Sequence, residues 1–349
     1  MHVVLARSLA LYVFVFSGLD ALQPRKAGYL VSLQGQLPQF LASSRAQGTV
    51  KRYTGAVNKW TEFARKYELQ LWPVRPSDFC LYILHLTNLG KGLSVIDAAF
   101  YGIKWVHDCV DLKAPTGFSS VQNAFQAAKR KLSKARQPMD PVPPEVLNKL
   151  CADKESCNDL FVVRSVAMAI LAFAGFLRAD ELRCLQVRDF LMHDDFVTLV
   201  IRQAKTDQFR KGDHVDIVKT GSVSCPIFWL QKYLKLASID LDDVNQSDKF
   251  VFRQISGSKN GKKLVAVNRA LSYSALRESI LPLVRPYFPP GARIGLHSFR
   301  SGGTTSAAKA GVKGRLLQRH GRWKLASSMN MYIEESMDQR LKVSSNLGL

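Results

Sequence analysis

The stretch LFVVRSVAMAILAFAGFLRADELRCLQVRDFLMHDDFVTLVIR, residues 160–202, decides the fold class. It opens with residues 160–176, which are almost continuously apolar. A run of that kind reads as a helix buried on all sides. Residues 175–189 (GFLRADELRCLQVRD) place charge directly after it. From Phe196 the period changes. Phe196, Thr198, Val200 and Arg202 alternate with Val197, Leu199 and Ile201, the two-residue repeat of a strand. Asp207 to Asp213 has the composition of a polar turn, and His214 to Val218 returns as a second strand. A buried helix followed by a hairpin predicts a mixed α+β domain with a small sheet. The rest of the chain beyond it reads as helical, broken at Pro282 to Gly291.

Upstream, residues 137–144 (QPMDPVPP) hold four prolines. Such a segment cannot continue a helix and predicts a semi-rigid linker. Before it the pattern is helical. Tyr53, Val57, Trp60, Phe63, Ala64 and Tyr67 recur at spacings of three and four. A second helix carries Phe79, Tyr82, Ile83 and Leu86, with Asp78 placed to cap it. Ser94 to Val106 and Val121 to Lys134 repeat the pattern. Residues 49–137 therefore read as an all-helical domain, with 14 basic residues against 6 acidic ones. Residues 1–48 show little periodicity. Within them Arg7 and the apolar run Leu9 to Phe16 look like a short signal-peptide core, but Asp20 sits near the expected cleavage point and no A-x-A follows. The expectation is a dispensable leader or a packed N-terminal segment, not secretion. The division is thus 1–48 leader, 49–137 helical domain, 138–144 linker and 145–349 second domain. The fold class is mainly α with a small β-sheet in the C-terminal domain.

The chain has 349 residues, 47% of them hydrophobic, which suits two domains with sizeable cores and excludes disorder throughout. Lys and Arg number 49 and Asp and Glu 28, a net charge of +21. That excess points to a polyanionic partner, nucleic acid before anionic membrane. No run of 18 apolar residues argues for membrane spans. Six scattered cysteines form no CxxC pair and read as reduced thiols of an intracellular protein.

Several positions could carry chemistry. His297 and Arg300 in HSFR share one helical face, where an imidazole and a guanidinium could bind two phosphate oxygens. Gly302 and Gly303 follow. Each costs a helix about 1 kcal/mol relative to Ala, so something approaches that backbone closely. Arg178 follows the buried helix and needs a partner if buried, and Glu181 is placed to orient it. Lys205 enters the hairpin turn, where an amine could protonate a leaving alkoxide. Residues 309–324 (KAGVKGRLLQRHGRWK) hold six basic residues and no acid, and phosphate contact is their first reading. Tyr332, taken alone, reads as a core residue among methionines.

Taken in order, these residues resemble the tyrosine recombinase (phage-integrase) family. GFLRADEL resembles its first-arginine box with the acidic residue at +3. AKTDQFRKGDHVDI resembles its lysine hairpin, LHSFRSGG its H-x-x-R box, and GRWKLASSMNMY the box that ends in the nucleophilic tyrosine. The match covers roughly residues 145–345, and the helical domain agrees in kind with the family's core-binding domain. Phe299 stands where Leu is commoner, and Trp323 fills the second-histidine position, with His320 as the alternative occupant.

The resemblance implies a catalytic set of Arg178, Lys205, His297, Arg300, Trp323 and Tyr332, supported by Glu181 and His320. Tyr332 would attack the scissile phosphate to form a 3′-phosphotyrosyl link, Arg178 and Arg300 would neutralise its oxygens, and Lys205 would protonate the 5′-oxygen. His297 would accept a proton or donate to the phosphate, and Trp323 would pack the site or donate its indole N–H. Neither metal nor cofactor nor ATP is implied. The partner would be double-stranded DNA held in a clamp, with Lys51, Arg52, Lys129, Arg130, Lys131, Lys134, Arg315, Arg319 and Arg322 on phosphates. The enzyme would act as a homotetramer on two sites, without membrane contact, and residues 334–349 could dock on a neighbouring subunit. The GRWK…Y wording resembles recombinases of eukaryotic mobile elements, which would place the protein in a nucleus. The alternatives are a catalytically silent DNA-binding derivative, or a type IB topoisomerase that uses the same chemistry on one duplex.

Overall fold

The computed structural model describes residues 28–133, 138–202, 212–258, 261–335 and 337–347. The chain divides into two compact units, residues 1–136 and 137–349. It is mainly helical, with two small antiparallel sheets among the described residues. No helix among those residues is long and apolar enough to cross a membrane.

The first unit is built from α1 (Gly28–Ala42), α2 (Gln47–Lys66), α3 (Pro76–Asn88), α4 (Leu93–Asp108) and α5 (Ser119–Leu132). Helix α2 packs on α4, and α3 on α5. Their three-and-four spacing turns Val57, Trp60, Phe79, Ile83, Ile96, Ile103, Val121 and Phe125 into one core. Trp60 is fully buried and its indole donates to the Leu71 carbonyl at 3.2 Å. Helix α3 starts differently from the sequence expectation: Arg75 occupies the N-cap and Pro76 the first turn, so Asp78 lies inside that turn. Proline is favoured there because its missing N–H needs no partner. Helix α1 lies in the stretch read as aperiodic, and exposes Tyr29, Val31, Leu33 and Phe40. The signal-like residues 1–22 lie outside the described residues.

The second unit centres on α7 (Leu160–Ala174), which follows α6 (Pro144–Lys154). As its composition predicts, α7 is buried along most of its length, capped by Asp159 accepting from the Phe161 and Val162 N–H groups. The short helix α8 (Ala179–Arg183) leads into β1 (Phe190–Met192), β2 (Phe196–Ile201) and β3 (Asp213–Val218), a three-stranded antiparallel sheet in that order. Val197 pairs with Ile217 and Leu199 with Val215, so the apolar face of each strand turns to the core. Helices α9 (Pro226–Leu236), α10 (Tyr273–Val284) and α11 (His297–Lys309) all pack on α7. Between α9 and α10 lies a hairpin of β4 (Ile255–Ser258) and β5 (Gly261–Leu264), in a region read as helical. Helix α10 also runs through Pro282 and ends two residues later, at Val284. The chain closes with α12 (Gly314–His320), α13 (Ala326–Asn330) and α14 (Met337–Ser345).

The proline-rich segment is not a free tether where it is described. Asp140 N–H donates to the Arg293 carbonyl at 2.8 Å, and Val142 N–H to Ser298 at 2.9 Å. Val142 is fully buried against α11. This explains the two glycines: a Cβ on Gly302 would lie 2.1 Å from the Val142 oxygen, and one on Gly303 2.3 Å from the Phe173 oxygen. The close approach inferred from the sequence is made by the protein's own backbone.

Candidate active site

The site forms where α7 ends. Phe176 takes a left-handed φ of 45°, which breaks the helix and turns Arg178 into the N-cap of α8. The Arg178 N–H donates to Glu181 Oε2 at 2.8 Å and its Nη1 to Oε1 at 2.5 Å. The acidic residue at +3 thus orients the arginine, as its spacing predicts. Glu181 Oε2 also takes Arg322 Nη2 at 2.8 Å, and both side chains are almost wholly buried. Burial alone would raise the Glu181 carboxyl's pKa. Arg322 and Arg178 outweigh it and hold the carboxyl below the usual range.

Arg300, one turn into α11, is fully buried. Its Nη2 donates to the Gly321 carbonyl at 2.6 Å, and its Nη1 to the Phe176 carbonyl. Its Nε has no partner among the described residues. Burial, then repulsion from Arg178, pushes its pKa down. The guanidinium lies 4.2 Å from the Trp323 ring centre and 5.2 Å from that of Tyr332. Trp323 and Tyr332 rings are 5.3 Å apart, and the Trp323 indole N–H is buried without a partner among the described residues. His297, exposed at the first turn of α11, has its ring 6.5 Å from that of Tyr332.

The structure therefore brings Arg178, Glu181, Arg300, Trp323, Tyr332 and His297 together from three separate sequence boxes. His320 lies differently. Its Nε2 pairs with the Ala174 carbonyl at 2.8 Å, and its ring meets Phe176 edge-on. Burial lowers its pKa. Trp323, and not His320, is the residue whose ring lies beside that of Tyr332, tilted at 46°. Lys205 lies outside the described residues. The strands on either side of it, β2 and β3, are paired up to Ile201 and Asp213.

Sequence reasoning passed over two clamps. Tyr332 sits just past α13, and its carbonyl accepts from Ser301 and Thr305 hydroxyls, each at 3.1 Å. Those residues are four apart on α11, a spacing visible in SGGTT. The second is Arg322. It was assigned to DNA phosphate, and the structure corrects this: it is 6% exposed and points inward. Besides Glu181, it donates to the carbonyls of His320, Gly175 and Phe176. A run of basic residues gives no sign of which one folds back.

The other phosphate candidates divide. Arg315 and Arg319 on α12 are exposed, as are Lys51, Arg52, Arg130 and Lys131 in the first unit. Lys129 is half-buried, over the Phe125 ring and 3.9 Å from Asp97. Lys134 lies outside the described residues. Lys59, two turns along α2, lines the same groove as Lys51 and Arg52 and was not singled out.

No protein-family model matches the chain. Among curated proteins it is similar to an integrase/recombinase XerD homolog of Selenomonas ruminantium, 23% identical over 299 residues, 84% of each chain. Among solved structures it is similar to XerH site-specific recombinase bound to a palindromic difH substrate, with a TM-score of 0.58 and 14% identity over 97% of this chain and 95% of that one. The integrase of transposon Tn1549, in complex with circular intermediate DNA, gives 0.52 and 13% over 97% and 99%. A lambda integrase dimer bound to a core site gives 0.52 and 13% over 87% and 95%. The chain has the fold of these recombinases and integrases.

Proposed function

We propose that this chain cuts and rejoins DNA strands at specific sites through a covalent 3′-phosphotyrosyl intermediate. The observation that carries this reading is the convergence of a tyrosine, two arginines and an indole donor drawn from distant boxes. A phosphodiester under attack gathers negative charge, and cationic donors fixed in advance lower that barrier. In the proposed step the Tyr332 oxygen forms a bond to phosphorus and loses its proton, with His297 as acceptor. The bond to the 5′-oxygen breaks, and Lys205 protonates the leaving alkoxide. Arg178 and Arg300 hold the non-bridging oxygens, with the Trp323 N–H as a further donor. The phosphotyrosyl ester keeps the energy of the broken bond, so rejoining needs neither ATP nor a metal. Each Arg300 Nη group gives one N–H to a carbonyl, and the Nε–H, without a partner among the described residues, stays available to a phosphate oxygen.

The partner is double-stranded DNA, contacted by exposed cations of both units, and the working form is a homotetramer on two sites. Residues 49–137 would serve as the core-binding domain and 145–349 as the catalytic one. The GRWK…Y wording, together with the likeness to a transposon integrase, supports a mobile-element source. A eukaryotic host would place the protein in the nucleus.

The buried state of Arg300 favours one second reading, a DNA-binding derivative without strand exchange. The two separate on a nicked duplex taken from the ends of the encoding locus. An adduct that survives denaturation and is lost in Tyr332→Phe supports cleavage. Salt-sensitive binding without an adduct overturns it in favour of the binding protein.

A further inference from the structure

We infer that Arg322 is a positioning residue of the phosphate site, acting through Glu181 and the Phe176 carbonyl on Arg178 and Arg300. The inference rests on the proposed cleavage reading for its function and on geometry alone for its contacts. Glu181 is the single carboxylate that Arg178 and Arg322 share, one on each oxygen. Without Arg322, Oε2 keeps only the Arg178 N–H, and the carboxylate loses the one of its three donors that does not come from Arg178 itself. The Phe176 carbonyl likewise accepts from both Arg322 and Arg300. Arg322 thus touches the anchors of both phosphate-binding guanidiniums while itself being closed off from solvent.

The backbone adds a second observation. Arg322 has φ 57°, a left-handed conformation that disfavours any side chain with a Cβ. Its neighbour Gly321 could not carry a Cβ, which would lie 1.8 Å from the Trp323 ring. The turn is therefore wound tightly enough to place Trp323 under Arg300, and it holds a strained arginine at its centre. Strain of this kind persists only where the surrounding contacts hold it. Here those contacts are the side chain's bonds to three carbonyls and to one carboxylate oxygen.

The charged groups around Glu181 come from every element packed on it. Arg178 is on its own turn, Arg322 in the turn after α12 and Arg300 on α11, while His320, at the end of α12, faces Arg322, Arg300 and Asp216. Asp213 at the start of β3 faces Arg322, and Tyr332 faces Arg300. Among these, Arg322 and Arg178 are the cations that keep the Glu181 carboxyl ionised.

The test compares the full chain with Arg322→Gly, Arg322→Met and Arg322→Lys. Glycine accepts the left-handed backbone, so the first variant removes the guanidinium without adding backbone strain, and its melting curve is compared with the parent's. Single-turnover adduct formation on the nicked duplex is expected to fall about 10- to 100-fold in the Gly and Met variants, the scale of a misplaced catalytic group. The acid limb of the rate should move to higher pH, and Arg322→Lys should return that limb towards its original position. The slope of binding against salt should stay unchanged, because the buried residue neutralises no phosphate. Equal rates with an unmoved acid limb, or a salt slope reduced by about one, would overturn the inference. The NMR titration of the Glu181 carboxyl, followed in the full chain and in Arg322→Gly, decides it even where no adduct forms. A raised midpoint supports it and an unchanged one sinks it. Failure of the full chain to form any adduct counts separately, against the cleavage reading.

Discussion

Each unit buries a polar side chain completely, and the two do opposite things with it. In the first unit His107 is enclosed by the helical core. Its Nδ1 pairs with the Ile103 carbonyl at 2.8 Å, and its Nε2 accepts the Val74 N–H at 3.1 Å. Burial favours its neutral form and lowers its pKa. In the second unit Arg300 is equally enclosed, but it remains a cation and shares one carboxylate's neighbourhood with Arg178 and Arg322. Two residues of that cluster, Phe176 and Arg322, also sit in left-handed backbone. A neutral group paired on both sides costs little to bury, whereas an excess of buried cations is expensive unless an anion joins them. The first centre is neutral and paired on both sides, and the second gathers three arginines around one carboxylate.

The largest expected break in this contrast is chemical. Tyr332→Phe should remove the adduct, a loss on the order of 10⁴-fold or more in rate, read by denaturing gel. The same variant should melt like the parent, since only a hydroxyl is lost. Next in size, Glu181→Ala leaves Arg178 and Arg322 without their carboxylate, and urea unfolding should show a loss of about 3–5 kcal/mol in the second unit. Gly302→Ala drives a methyl into the Val142 backbone and should cost about 1–3 kcal/mol by the same measurement, with the first unit untouched.

Acid titration sharpens the comparison further. The folded pKa of His107 lies below the unfolded value of about 6.5, so as pH falls the unfolded chain takes up the proton first. The first unit should therefore lose stability below about pH 6.5, and His107→Gln should remove that dependence. Glu181 is held below the unfolded value of about 4.3, so its contribution is present above that pH and is lost as pH falls through the folded value. Glu181→Gln should flatten that lower window only. The smallest effect concerns two neighbouring arginines. Arg319→Ala should reduce the salt slope of DNA binding by about one, while the inward-facing Arg322 contributes nothing to it.

Much of the fold was legible because its signals are local. Period-three-and-four spacing marked α2, α4 and α5, the switch to period two marked β2, and the polar turn after it marked the return strand β3. Helix α1 was missed because its apolar residues do not gather into one buried stripe; Tyr29 and Phe40 are largely exposed. The β4–β5 hairpin was missed because its sequence alternates weakly and β5 is exposed as far as Lys263. Asp78 was given the cap that Arg75 and Pro76 take, a choice that depends on where the chain enters the helix.

The order of Arg178, Glu181, His297, Arg300, Trp323 and Tyr332 along the chain singled out side chains that the fold brings together. Sequence alone determined those identities, the helical and strand periods, and the positive charge, because each is a property of neighbours in the chain. Tertiary structure decided which cation faces inward, that Trp323 and not His320 meets Tyr332, and why Gly302 and Gly303 can only be glycine. Those outcomes depend on groups more than a hundred residues apart competing for the same carbonyls and the same carboxylate. No local pattern records a contest of that kind, and only packing in three dimensions settles it.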